Sequence, residues 1–168
     1  HAWDQGARGA ALTRDALRRA GVQAIGAGET IDDALAPVVL ARHGVRVAFV
    51  GVTHRVNAGP GHAEPRAMIA TWDEDRIASA LARARAEADV VVVSIHWSHD
   101  FRTEPRSEER EHARFLVAHG ADVILAHGPH VLHPIERLPS PRGEALCAYS
   151  LGNLVSNQGF TYRTGHEG

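Results

Sequence analysis

The sequence predicts an α/β fold, a layered sandwich with helices packed on a central sheet, and three observations carry that reading. Stretches with a helical apolar period alternate along the chain with short, continuous apolar runs. The run Val90-Val91-Val92-Val93 is unbroken and β-branched, as expected of a parallel strand covered on both faces. Gly21 and Gly120 stop helical stretches directly before the next apolar run.

The elements follow in order. Residues 7–20 read as a helix with Leu12, Ala16 and Ala20 on one face and Gly21 as its stop. Residues 22–25 are a short strand candidate ending in the Gly26-Ala27-Gly28 turn. Thr30 can cap a second helical piece that Pro37 restricts, and residues 45–50 form an apolar strand preceded by His43-Gly44. A long loop at 51–70 carries Gly59, Pro60, Gly61 and Pro65.

Residues 73–87 give the clearest helix, because Ile77, Leu81, Ala84 and Ala88 share a face from which Arg76, Arg83 and Glu87 are absent. The valine run at 89–95 is the next strand. A helix at 107–119 turns Ala113, Leu116 and Val117 inward, and residues 123–125 form another buried strand. Residues 135–138 and 145–149 pair as a hairpin around Pro139 and Gly143.

At 168 residues, the chain has the length of one ordinary domain, and 44% apolar with 23% charged residues excludes wholesale disorder. A net charge of −2 offers no basic field for nucleic acid, so no nucleic-acid partner is expected. No run approaches the roughly 18–20 apolar residues of a membrane helix. The lone Cys147 cannot form an internal disulfide. All 18 positive side chains are arginine, and there are 12 histidines.

Histidine is the commonest metal ligand and titrates near neutral pH, so the positions of these residues matter more than their number. His96 follows the strand at 89–95, and His127 and His130 follow the strand at 123–125. Ligands of open α/β sheets bind at the carboxyl ends of the strands. Neighbouring strands lie about 4.8 Å apart, so these three imidazoles can converge on one ion with nitrogens about 2.0–2.1 Å from it. His43, His112, His119 and His166 read as surface residues, and His54, His62, His99 and His133 as residues of a pocket rim. At the front, Asp4 lies within reach of His1, a pair that can fix a tautomer and hold a proton ready. Arg55 and Arg66, in the long loop, are either solvated charges or a two-pronged grip for an anionic substrate.

Four blocks in order resemble the CapA/PgsA family, the capsule-synthesis and poly-γ-glutamate-biosynthesis proteins of calcineurin-like metallophosphoesterase type. They are His1-x-x-Asp4-x-Gly6-x-x-Gly9 with Thr13; Ser94-Ile95-His96-Trp97 with Asp100-Phe101 and Pro105; Gly120-Ala121-Asp122-Val123-Ile124 through His127, Pro129, His130 and Pro134-Ile135-Glu136; and Tyr149-Ser150-Leu151-Gly152-Asn153. The resemblance implies that His96, His127 and His130 are ligands of a centre of two divalent ions (Mn, Fe or Zn). It further implies that His1 donates a proton to the leaving group, with Asp4 orienting it.

The resemblance also implies a metal-dependent, phosphoesterase-like hydrolase or, alternatively, a non-catalytic accessory of envelope polymer synthesis. The setting would be a bacterial protein of the envelope or cytoplasm, working with membrane-associated synthesis partners. Several positions depart from the family pattern. Ser98 stands in place of a glycine, Ala126 and Gly128 in place of a glycine and a histidine, and Asp100-Phe101 in place of a glutamate and a tyrosine. The family's Asp-x-His pair, a further Asp and its Asn ligand would fall before His1. The expectation is therefore a domain with its first strands missing, whose C-terminal part is residues 1–156, followed by a polar tail at 157–168. Such a piece is expected to be inactive alone.

Overall fold

The computed structural model describes residues 3–56, 69–97 and 100–155. Helix α1 (Gly6–Arg19) is followed by the short α2 (Ile31–Ala34), strands β1 (Val38–Arg42) and β2 (Val45–Thr53), helix α3 (Glu74–Glu87) and strand β3 (Val90–His96). Helix α4 (Ser107–Ala118), strand β4 (Val123–His127) and the hairpin β5 (Ile135–Ser140) and β6 (Gly143–Ala148) complete the order. The six strands form one mixed sheet in the order β1-β2-β3-β4-β6-β5. β2, β3, β4 and β6 run parallel, and the antiparallel β1 and β5 close the two edges. The α/β class predicted from the sequence is the class observed.

The alternation of side chains gives the sheet two unlike faces. Ala48, Val50 and Val52 of β2 and Val91, Val93 and Ile95 of β3 are buried, as are Ile77, Ala80, Leu81 and Ala84 of α3 and Ala113, Leu116 and Val117 of α4, and all belong to one core cluster. Both helices match the inward faces expected from their sequences. The opposite face carries Phe49, Gly51 and Thr53 on β2, Val92, Ser94 and His96 on β3, and Leu125 and His127 on β4, at paired register positions. This face is only partly covered by the described residues, and Leu146 on β6 remains 43% exposed.

Two carboxylates set the register at the starts of the parallel strands. Asp89 takes the Arg46 backbone N–H at 2.9 Å and its guanidinium at 3.0 Å, joining β2 to β3. Asp122 accepts the Val91 N–H at 2.8 Å and the Arg85 guanidinium, while its own N–H donates to the Val91 carbonyl at 2.9 Å. The Asp122 carbonyl then takes the Leu146 N–H at 2.9 Å. Through one residue, β3, β4, β6 and the end of α3 are tied together.

One expectation needs correction, and two features add to the reading. Residues 22–25 are not a strand: Gly26 lies against Gly51, where a Cβ on Gly51 would stand 2.9 Å from the Gly26 nitrogen. That segment therefore passes over the sheet face instead of running beside an edge. β1, a segment assigned to no element from the sequence, is a strand joined to β2 by a two-residue turn in which His43 and Gly44 both have positive φ (52° and 80°). Helix α1 forms, but Leu12 is 55% exposed and no α1 residue is buried, because no described element packs on the face that carries it. Residues 57–68, which hold most of the long loop, and the tail beyond 155 lie outside the described residues.

The Asp122 network yields a direct prediction. Asp122→Asn keeps an acceptor for the Val91 N–H but removes the charge facing Arg85, and stability should fall by about 1–3 kcal/mol, the range for hydrogen bonds to charged groups. Urea unfolding measures it, and an unchanged midpoint would remove Asp122 from its structural role.

Candidate functional site

Parallel pairing puts the carboxyl ends of β2, β3 and β4 at one edge, and the register places Thr53 opposite His96 and His96 opposite His127. Because partnered residues of a parallel pair point to the same face, both imidazoles project from the half-covered face. There they line a cavity of about 300 Å³ together with Gly51, Thr53, Arg55 and Ser94. The close Gly26–Gly51 approach forms another wall of this cavity. Arg55 is exposed at its margin, while Arg66 lies outside the described residues.

Each imidazole has a local holder. The Ser94 hydroxyl shares a hydrogen bond of 3.2 Å with His127 Nε2, leaving Nδ1 as the second nitrogen. His130 sits in the loop after β4 with φ 63°, a left-handed conformation rare for side chains other than Asn, Asp and His. Its Nδ1 lies 3.0 Å from Asn153 Oδ1, a geometry in which Nδ1–H donates to the amide oxygen and Nε2 is the second nitrogen. The Phe101 ring stands 5.7 Å from the His130 ring.

Burial pushes the His96 imidazole below its ordinary pKa range, and the neighbouring His127 and His130 add to that effect. Burial also lowers His127. Both are thereby held in the neutral form that a metal requires. Two imidazoles paired at one sheet edge, with a third in the loop that follows, are donors of the type a divalent ion takes, but among the described residues the ligand atoms of His96, His127 and His130 do not all lie within 4.8 Å of one another.

Behind these side chains, Trp97 is anchored by its indole N–H to the Tyr149 carbonyl at 2.8 Å, and its backbone N–H donates to the His127 carbonyl at 3.0 Å. The two rings stack at 5.8 Å. Arg110 lies 5.3 Å over the Tyr149 ring and pairs with Glu136. The closing Tyr149-to-Asn153 segment thus supports the β3 and β4 ends and delivers Asn153 to His130.

His1 lies outside the described residues, and Asp4 is exposed just before α1, so the geometry of that pair is not described. Other histidines fall differently from expectation. His112, expected on the surface, is half-buried: its ring lies 4.0 Å from Trp72 and 4.6 Å from His54. His54, Glu108 and His112 present ligand atoms within 4.8 Å of one another, a His/Glu group with metal-binding spacing. The i,i+4 relation of Glu108 and His112 on a helix is the signal that could have found it. His133, expected at a rim, is buried and its Nε2–H donates to the Arg102 carbonyl at 2.7 Å. Ser94 and Asn153 were legible only as motif letters.

Residues 1–158 match the family described as "Bacterial capsule synthesis protein PGA_cap". The chain belongs to this family. Among the relatives of this PGA_cap chain, the "PGA biosynthesis protein CapA" of Bacillus subtilis (strain 168) is 32% identical over 162 residues, covering 96% of this chain and 42% of the relative. The "Capsule biosynthesis protein CapA" of Bacillus anthracis is 32% identical over 165 residues, covering 96% and 39%. A "Probable polyglutamine synthesis accessory protein" of Mycobacterium tuberculosis (strain ATCC 25618 / H37Rv) is 26% identical over 176 residues, covering 94% and 43%. The chain thus spans about two-fifths of the length of these curated relatives.

The Asn153 contact can be tested alone. In Asn153→Ala the Nδ1–H tautomer of His130 should lose its preference, seen in long-range ¹H–¹⁵N spectra, while stability changes by less than about 1 kcal/mol because the bond is exposed. A retained Nδ1–H tautomer would show that Asn153 does not orient the ring.

Proposed function

We propose that this PGA_cap protein acts in bacterial capsule or poly-γ-glutamate biosynthesis as a metal-dependent, phosphoesterase-like hydrolase on an anionic substrate. The observation that carries the hydrolase reading is the register pairing of His96 with His127 on one face, beside a cavity that Arg55 borders. The capsule setting is supported by family membership and by the printed names of the Bacillus relatives.

In this reading His96, His127 and His130 hold two divalent ions (Mn, Fe or Zn), with further ligands from outside the described residues. When bound, such ions supply Lewis-acid polarisation of a phosphoryl group. The chain's own residues position and protonate. Asn153 holds the His130 Nδ1 proton so that Nε2 faces the site, Ser94 fixes the His127 ring, and Trp97 anchors the strand end behind both. His1 donates a proton to the leaving group and Asp4 orients it. Arg55 meets the charge of the anionic substrate at the cavity margin. Residues 1–156 act as the metallophosphoesterase-type unit and 157–168 as a polar tail, with membrane-associated synthesis proteins as partners.

A second reading, a non-catalytic accessory of polymer synthesis, is favoured by the word "accessory" in the printed mycobacterial name. Two assays on the full-length protein separate the readings. With Mn²⁺ the parent should hydrolyse bis(p-nitrophenyl) phosphate, and His127→Ala and His130→Ala should each lose about 100-fold or more, since even outer-shell changes cost 10–100-fold. The same variants should fail to restore polymer in a strain lacking the protein. Full restoration by both variants would overturn the hydrolase reading.

A further inference from the structure

We propose that His54, Glu108 and His112 form a second divalent-cation site, with a donor set suited to zinc, on the helical side of the same sheet edge. Three elements build it. His54 follows the last residue of β2, and its backbone N–H donates to the His96 carbonyl at 2.8 Å. Thr53 lines the cavity with His96 and His127, whereas the next residue, His54, turns its ring toward α4 and lies 6.2 Å from Trp72. Glu108 and His112 lie in the first turns of α4, four residues apart and therefore on one helical face.

The geometry suits a metal better than an ion pair. His54 Nε2 and Glu108 Oε1 are 3.6 Å apart, and the atoms offered by all three residues lie within 4.8 Å of one another. Tetrahedral zinc with bonds of about 2.0–2.1 Å sets its ligands about 3.4 Å apart, so small side-chain rotations complete the site. An independent feature is His112 Nδ1, which is buried and has no hydrogen-bond partner among the described residues. Buried polar atoms are ordinarily satisfied, and each exception needs an explanation.

Burial and the neighbouring His54 push the His112 imidazole below its ordinary pKa range, while Glu108, Glu74 on α3 and Glu111 on α4 act in the opposite sense as nearby negative charges. Trp72 covers one side of the His112 ring at 4.0 Å, and Phe115 backs Trp72 at 5.6 Å. Two imidazoles and one carboxylate make a borderline donor set, which zinc binds more tightly than manganese or ferrous iron. Three protein ligands leave the remaining coordination open to water or a ligand, because Glu108 is 48% exposed and His54 28%.

This site does not depend on the hydrolase reading, and the experiment keeps the two apart. Zn²⁺ binding is measured by equilibrium dialysis and elemental analysis on full-length protein carrying His127→Ala and His130→Ala, which disable the first site. One equivalent of Zn²⁺ should remain. Adding Glu108→Gln, a near-isosteric change at an exposed helix position, should weaken it by about 100-fold or more, as loss of a direct ligand costs at least what an outer-shell loss does. His112→Ala should do the same, and Co²⁺ in place of Zn²⁺ should give a visible d–d spectrum that both changes abolish. No zinc in the background protein, or affinity unaltered by Glu108→Gln, would overturn the site. The Glu108→Gln arm decides even if His112→Ala does not fold.

Discussion

The arrangement of the sheet edge depends on a carboxylate at the opposite end of the strands. Asp122 receives the Val91 N–H and the Arg85 guanidinium, and its own backbone groups bridge to β3 and β6. A strand that slips by one residue turns every side chain to the other face. If β4 slipped against β3, His127 would leave the cavity and Ala126 would enter it. Fixing the register at the start of β4 therefore fixes which residue stands beside His96 five residues later. The charge is worth placing there because Arg85 and Asp122 are both about four-fifths buried, where an unpaired partner would be costly.

Consequences of that register run to both sides of the sheet. Residues at alternating positions separate into a helix-covered face, where Val93 and Ile95 pack beneath α3 and α4, and a half-covered face bearing Ser94 and His96. The unbroken valine run satisfies both faces at once, so the strand tolerates polar residues only at its carboxyl end, where Ser94 and His96 appear. At the same edge, successive residues Thr53 and His54 serve opposite faces, one toward the cavity and one toward α4. A single edge thus presents imidazoles to both sides of the sheet.

Much of this was legible in the sequence. The helices at 73–87 and 107–119 and the valine strand were readable because period and stop signals agree with burial, and the order of histidine-bearing strand ends followed from the same pattern. β1 was missed because no element was assigned to Val38-Val39-Leu40 after Pro37, although His43-Gly44 fits a two-residue hairpin turn. Residues 22–25 were misread because the segment's end, Ile25-Gly26, crosses over Gly51 of β2 through backbone contact, a tertiary contact that local period does not encode. The family resemblance rested on motif blocks, and family membership is established by the match over residues 1–158. The roles of Ser94 and Asn153, and the meeting of His54 with α4, need three-dimensional proximity between segments up to 58 residues apart in the chain, from His54 to His112.

The central proposal is that the register of β3 and β4, which pairs His96 with His127, together with the loop that carries His130, forms a metal-holding edge. Anomalous diffraction from crystals of the full-length protein grown with Mn²⁺ tests it most directly. The account predicts an anomalous peak within about 2.3 Å of nitrogens from these three imidazoles, with His130 coordinating through Nε2. Manganese found only at other residues, with these rings turned away from it, would contradict the account.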